Sequence, residues 1–330
     1  MPSLSGTIAD IAYLVLSFEM FTDLSVLAIA CLNLAVIVPT KLLQTNLKSI
    51  LITQSFAVLF FGIFRLVIIC QRLIIGQPLM SDDMLLSSLM NFNSVFRRLL
   101  GHVLIIERFL ATFRTNSYEK FSKLYFTVTW FSITFSISFV NTIACEQSSN
   151  TTKFNLITSA LSMVFSFIEY LLIALIGRYN QKMYNRQIET TSSNNYNIGF
   201  RYQISDNINS AKQLSATFLF FFLSNLCLTF LYTIALTFDQ DKDDFQIALV
   251  YAASNLSIAI LCVAIELTIM THHPLLKKRL FNLFLNLYCF KRPLVNNVRT
   301  ITVETAAKCV EKKEKEMKEH FEMLQQLWNK

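Results

Sequence analysis

Long apolar stretches separated by short polar segments run along most of the chain. A helix that crosses a bilayer needs about 20 mostly apolar residues. Seven stretches reach that length, at roughly 13–39, 49–75, 85–106, 124–145, 155–177, 214–238 and 245–270. The third is the weakest because Arg97 and Arg98 interrupt it. The segments are too long and too uniformly apolar for the alternating strands of an outer-membrane barrel. The pattern therefore predicts an all-α membrane protein, a bundle of seven transmembrane helices.

Basic residues are divided very unequally among the segments that join these stretches. Segments 40–48, 107–123, 178–213 and 271–330 together hold 23 of the 29 Lys and Arg residues, whereas the alternate segments hold only Lys153 and Lys242. Short loops rich in Lys and Arg stay on the cytoplasmic side of a membrane. We therefore expect the N-terminus outside and the C-terminus in the cytoplasm.

The chain changes character after the seventh stretch. Following Pro274 it reads LLKKRLFNLFLNLYCFKR, basic first and apolar after, which predicts an interfacial eighth helix on the anionic inner leaflet. We therefore expect a membrane domain over residues 1–292 and a cytoplasmic tail over 293–330. In the tail, apolar residues recur every seven positions from Val303 to Leu324, which predicts an amphipathic helix.

Composition and motifs argue against an enzyme. Hydrophobic residues make up 53% of the chain and charged residues 15%, against about 25% charged in soluble domains. There is no HExxH, no GxSxG and no glycine-rich phosphate loop among the 330 residues, and the four His residues are not spaced as metal ligands. We expect no cofactor and no metal. The net charge of +7 is explained by the inner loops, so it does not point to nucleic acid.

Three features suggest covalent modification, each with a plainer alternative. Asn150 begins an N-x-T sequon in a predicted outer loop and is a candidate for glycosylation, although the loop is short. Cys289 lies on the basic, apolar segment after helix seven and is a candidate for palmitoylation, or simply an interfacial cysteine. Cys70 and Cys145, near the outer ends of helices two and four, are candidates for a disulfide.

An acid–arginine pair marks the point where helix three leaves the membrane on its cytoplasmic side. Glu107 and Arg108 are adjacent there. Charged groups at membrane depth need partners and often serve function. While the two are paired, they can hold the inner end of helix three, and a released arginine can reach an intracellular partner. The plainer interpretation is an arginine that snorkels at a helix end.

Two short motifs resemble those of one receptor family. ERFLAT, which starts at Glu107, is followed by Tyr118-Glu119, and the segment after helix five holds Arg201-Tyr202-Gln203 and then Asp206-Asn207. Together they resemble the motifs of the nematode serpentine receptor class epsilon (Sre) chemoreceptors of the Sra superfamily. Asp206 stands where that family usually has Glu, and the neighbouring Srb and Srab classes stay open.

The resemblance implies a seven-helix chemosensory receptor that binds a small odorant or pheromone and signals to a heterotrimeric G protein. It also implies a multi-pass protein of the plasma membrane, in sensory-neuron cilia. On this basis the coupling residues are Glu107, Arg108, Tyr118, Arg201, Tyr202 and Gln203. The rhodopsin-like DRY, CWxP and NPxxY motifs are absent, so the switch roles of those motifs are not carried over.

The outer half of the bundle is the expected place for the ligand, because the outer loops are too short to form a binding domain. Helix three offers Asn91, Ser94 and Arg97 there as polar anchors among apolar neighbours. Glu169 and Glu266 are candidate partners for Arg97 and Arg98, and Arg65 competes for the same acids.

The alternative functions are a seven-helix ligand-gated channel, a transporter and an orphan membrane scaffold. A channel of the insect odorant-receptor type predicts the opposite loop-charge bias. A transporter predicts internal repeats with helices that glycine and proline interrupt at matching positions, and these are not evident. The sequence does not exclude a scaffold.

Overall fold

The computed structural model of the chain describes residues 6–40, 43–79, 83–113, 124–189, 198–241 and 244–290. All regular secondary structure in these ranges is helical, which confirms the all-α prediction for them. The helices are α1 (Gly6–Ile37), α2 (Thr45–Ile75), α3 (Met84–Phe113), α4 (Leu124–Glu146), α5 (Thr151–Glu189), α6 (Ile198–Asp241), α7 (Asp244–His272) and α8 (Pro274–Phe290). We call the end of the bundle at which α2, α4 and α6 begin the inner end, and the opposite end the outer end.

Six of these helices are long and apolar enough to cross a membrane, namely α1, α2 and α4 to α7. Their surfaces expose large apolar side chains, such as Leu14, Ile74 and Phe230 at 71%, 85% and 64%. An exposed apolar band of this kind is costly in water and favourable against lipid. The chain is therefore a multi-pass membrane protein.

The α3 helix is the central element of the bundle, and it is less apolar than its neighbours. It packs against α2, α4, α5 and α6. A helix surrounded by other helices can carry polar residues that a lipid-facing helix cannot, because protein groups satisfy them. This explains why α3, although it has 30 residues, falls short of the apolar content of a membrane span.

The α1 and α2 helices approach each other closely at Gly62. A Cβ atom there would lie 2.7 Å from Leu27 Cδ2 and 3.5 Å from the backbone oxygen of Asp23. Small residues allow this close packing in membranes. Beside this contact, Arg65 of α2 donates to Glu19 of α1, and both side chains are 1% exposed. This buried ion pair ties the outer halves of the first two helices together.

The inner ends of α5 and α6 extend beyond the predicted membrane spans. The α5 helix continues from the predicted end at about 177 to Glu189, and α6 begins at Ile198 instead of about 214. Hydropathy detects the apolar part of a helix but not a polar continuation of it. The inner surface of the protein is therefore built partly from helices.

The predicted eighth helix is present as α8. Pro274 occupies its first position, where proline costs no backbone hydrogen bond. The chain divides into two compact units, residues 1–280 and 281–330. The predicted tail helix, residues 293–330, lies outside the described residues.

Candidate functional site

Glu107 and Arg108 form a doubly hydrogen-bonded ion pair near the inner end of α3. The Nε atom of Arg108 lies 2.5 Å from Glu107 Oε2, and its Nη2 lies 2.6 Å from Glu107 Oε1. The two side chains are 1% and 0% exposed. Two-point contact between a guanidinium and a carboxylate is among the strongest polar interactions in proteins. The two adjacent residues are therefore paired in this structure.

Gln44, which immediately precedes α2, also contacts Arg108. Its Oε1 accepts a hydrogen bond of 2.5 Å from Arg108 Nη2. Gln44 has an extended backbone (φ −55°, ψ 134°) and immediately precedes Thr45, the first residue of α2. The short connection from α1 thus places an amide beside the arginine. Nothing in the sequence singles out Gln44, since it is one polar residue in a short polar segment.

His273 and Asp206 lie beside Arg108. His273 connects α7 to α8, is 1% exposed, and its two ring nitrogens have no hydrogen-bond partner within the described ranges. Its burial, together with the positive charge of Arg108, lowers the pKa of the His273 ring to about 4, so the ring is neutral at pH 7. Asp206 of α6 is close enough to interact electrostatically with Arg108 and Glu107. We call Gln44, Glu107, Arg108, Asp206 and His273 the inner-end cluster.

Side-chain amides fasten the last turn of α3 to its neighbours. Asn180 of α5 donates a hydrogen bond of 3.1 Å to Thr112 Oγ1. Asn207 of α6 donates one of 3.1 Å to the backbone oxygen of Ala111. Both amides are buried, at 1% and 2% exposure. The inner end of α3 is therefore held by α2, α5 and α6 together.

The structure brings part of the second sequence motif to the first. Gln203 is buried in α6 at 6% exposure, and Asp206 and Asn207 follow it beside the end of α3. Arg201 and Tyr202 belong to α6, but their side chains lie outside what the structure describes, as does Tyr118 altogether. Two motifs nearly 100 residues apart in sequence thus meet at one place.

A second polar group lies deeper in the bundle, between α3, α5 and α6. His102 of α3 pairs with Glu169 of α5. Within the described part of the chain, the side chain of Arg98 makes long hydrogen bonds, 3.3 Å to the Ser94 backbone oxygen and 3.5 Å to the hydroxyls of Ser94 and Ser162. A cavity of about 10 Å³, about the space of one water molecule, lies beside them. It is lined by Arg98, Gly101, His102, Ser162, Ser166, Glu169, Phe221 and Asn225.

The three residues expected to anchor a ligand lie in different surroundings. Asn91 lies near the thiol of Cys145 on α4. Ser94 contacts Arg98 at the edge of the small cavity. Arg97 is buried against α7 and α2, where it donates to Cys262 and its Cζ lies 5.4 Å from the centre of the Phe61 ring. Arg98, and not Arg97, therefore faces the cavity.

The expected ion pairs of Arg97 and Arg98 with membrane-embedded acids do not form among the described residues. Glu169 pairs with His102, Glu266 accepts hydrogen bonds from Asn33 and Ser55, and Arg65, the expected competitor, pairs with Glu19. The prediction was wrong because hydropathy places residues by depth but does not give the rotation of each helix. Helix rotation decides which acids and bases meet.

The candidate modification sites have these positions. The side-chain oxygen Oδ1 of Asn150 caps the start of α5 by accepting a hydrogen bond of 2.8 Å from the Lys153 backbone N–H, and its side-chain amide donates one of 3.0 Å to Asp239. Cys70 and Cys145, the candidates for a disulfide, are free thiols in this structure, the first exposed and the second buried. Cys289 belongs to α8, but its side chain lies outside the described part.

No group of three His, Cys, Asp or Glu residues is arranged to hold a metal ion in the ranges that the structure describes. The inner-end cluster holds a buried arginine in contact with an acid and an amide. A shift of α3 against α2 or α6 would change those contacts.

A sequence model of the family described as Sre G protein-coupled chemoreceptor matches residues 4–329, nearly the whole chain. No curated protein matches the chain.

Proposed function

Because the chain belongs to the Sre G protein-coupled chemoreceptor family, we propose that it is a seven-helix receptor that binds a small molecule and activates a heterotrimeric G protein. The family is one of receptors, and neither an enzymatic activity nor nucleic-acid binding forms part of the proposal. The resemblance in sequence favours the plasma membrane of sensory-neuron cilia as its location. The observation that carries the proposal is the inner-end cluster, in which the guanidinium of Arg108 is buried and contacts Glu107 and Gln44.

The α3 helix serves as the seventh span in this proposal. Its 30 residues are more than enough to cross the hydrocarbon core, and 12 of them are buried by neighbouring helices. With α3 included, the chain crosses the membrane seven times, and the basic segments all fall on one side. Loop charge supports an extracellular N-terminus and a cytoplasmic inner end.

Epitope tags test this orientation. A tag at the N-terminus should bind antibody on intact cells, whereas a tag at the C-terminus should bind only after permeabilisation. The physical reason is the excess of Lys and Arg on the inner side, 23 residues against two. The reverse staining pattern would contradict the proposal and favour an inverted seven-helix channel.

The inner-end cluster gives the receptor an element with two states. In the present arrangement the guanidinium of Arg108 is occupied by Glu107 and Gln44 and is hidden from the cytoplasm. In the proposed active arrangement the bundle opens at this end and Arg108 turns towards the G protein. A ligand promotes the change only as far as it binds the open state better than the closed one.

Replacing Glu107 by glutamine should raise signalling without ligand. The amide keeps the shape of the carboxylate but loses its charge, so it holds Arg108 less firmly, by about 1 kcal/mol. A change of that size shifts a two-state equilibrium about fivefold. The measurement is basal nucleotide exchange on the G protein, or basal second-messenger level, at equal receptor density on the cell surface.

Asn180→Ala is a useful comparison for that variant. It removes a buried hydrogen bond at the same end of α3 but leaves the ion pair intact. Equal basal activity in Glu107→Gln and in the wild type would show that the ion pair does not restrain the receptor. A rise of the same size in both variants would mean that loosening α3, and not releasing Arg108, activates it.

The ligand site of the proposed receptor lies on the outer side of the inner-end cluster, between α3, α5 and α6. Arg98 supports this placement, because it is a membrane-buried cation whose contacts of 3.3 Å to 3.5 Å are long. Ser94 lies one turn further out on α3, and Asn91 lies near the outer end of the same helix. The cavity of about 10 Å³ is far smaller than a ligand pocket. Binding therefore requires α5 or α6 to move away from α3.

Two modifications belong to the same proposal. Palmitoylation of Cys289 would fix α8 to the inner leaflet. Glycosylation of Asn150 requires its amide to leave Asp239, to which it donates in the structure.

A further inference from the structure

The inner extension of α5 carries a row of polar side chains on one face. The row consists of Arg178, Gln181, Lys182, Asn185 and Arg186, which are spaced three or four residues apart. Positions with that spacing lie on one side of an α-helix. All five side chains are exposed, and together they line an open groove of about 490 Å³. We call this row the α5 basic stripe.

The stripe continues the surface that α5 presents to lipid. Leu171 and Leu175, which are 45% and 57% exposed, precede Arg178 and Lys182 on the same face, again at steps of three and four residues. Exposed leucines on a membrane-spanning helix contact acyl chains. The next two turns on that face therefore lie at the level of the lipid headgroups.

The opposite face of the extension is packed against the bundle, which fixes the direction of the stripe. Asn180 is 1% exposed and donates to Thr112 of α3. The stripe therefore points away from the inner-end cluster and does not form part of it. Arg178 and Lys182 have no ion-pair partner in the ranges described by the structure.

We propose that the α5 basic stripe is a binding site for the headgroup of an anionic phospholipid in the inner leaflet. The stripe supplies cations for the phosphate, with amide donors from Gln181 and Asn185 between them. The inner leaflet of a plasma membrane is rich in anionic lipid, which attracts basic side chains next to a membrane span. A lipid bound there would hold α5 in place beside α3.

Lipid retention by the purified full-length chain tests the proposal. The chain is equilibrated with equal amounts of phosphatidylserine and phosphatidylcholine, and retained lipid is counted by native mass spectrometry. The wild type should retain phosphatidylserine preferentially. The double variant Arg178→Gln/Lys182→Gln should lose that preference, with about fivefold weaker binding for each charge removed.

Lys153→Gln is the matched control, because it removes one exposed cation from the outer end and should leave the preference unchanged. Arg178→Lys keeps the positive charge and should also leave the preference for phosphatidylserine unchanged. If the double variant unfolds, this variant still separates the effect of charge from that of packing. The proposal is overturned if the wild type shows no preference for phosphatidylserine, or if the double variant keeps it. Loss of G-protein activation in the double variant, with its preference for phosphatidylserine unchanged, would assign the stripe to a protein partner instead. None of these outcomes depends on which side of the membrane the stripe occupies.

Discussion

Arg108→Ala is expected to reach the cell surface and to lose G-protein activation. In the proposed mechanism the released guanidinium is the group that contacts the G protein. Removing a central arginine from a protein interface commonly costs 2 kcal/mol or more, which corresponds to about a 30-fold loss of affinity. The measurement is ligand-evoked G-protein activation, or basal activation in the Glu107→Gln background, at matched surface density.

Two controls separate this effect from misfolding. Arg108→Ala leaves Glu107 buried without its cation, so Glu107→Gln/Arg108→Ala should reach the surface at least as well as Arg108→Ala and still fail to activate the G protein. Lys277→Ala removes an exposed cation of α8 and should activate as the wild type does. If Arg108→Ala activates normally, the arginine plays no part in coupling, and the two-state account of the inner-end cluster is wrong.

Arg65→Met is expected to prevent folding or to reduce the surface level to a small fraction of the wild type. The variant leaves Glu19 and Asp23, which are 1% and 0% exposed, as buried acids without the neighbouring cation. Neither carboxylate oxygen of Asp23 has a hydrogen-bond partner among the residues described. Breaking a buried ion pair by removing one partner costs about 3–5 kcal/mol, a large share of the stability of most domains.

The partner of Arg65 provides the control for that experiment. Glu19→Gln/Arg65→Met removes both members of the ion pair and should fold better than Arg65→Met alone, since a neutral amide is cheaper to bury than an unpaired carboxylate. Surface level and thermal unfolding of the purified protein are the measurements. If the single and double variants are equally stable, the ion pair does not contribute in the way that the structure indicates.

Hydropathy predicted much of the helical fold, and the reason is physical. Lipid makes long apolar helices almost obligatory, so the spans of α1, α2 and α4 to α7 could be located from composition alone. The inner extensions of α5 and α6 could not, because polar helices carry no such signal. Hydropathy indicated α3 only weakly as a membrane span. The helix carries polar groups that lower its hydropathy, and neighbouring helices satisfy them.

The candidate site, too, could be predicted only in part from the sequence. Glu107 and Arg108 could be singled out because they are adjacent charges at a membrane boundary. Gln44 and His273 could not, because their approach to Arg108 depends on a loop backbone and on the connection between α7 and α8. A signal for the Arg65 contact does exist. Glu19 lies 18 residues before the end of α1 and Arg65 lies 20 residues after the start of α2, which puts them at nearly the same depth.

The most direct test of the account is a screen of small molecules on cells that express the chain together with heterotrimeric G proteins. The account predicts that at least one molecule activates a G protein through the wild type, and that the same molecule fails with Arg108→Ala at equal surface density. The response should also disappear when G-protein signalling is blocked. A ligand-evoked current that persists under that block would contradict the account and identify a channel.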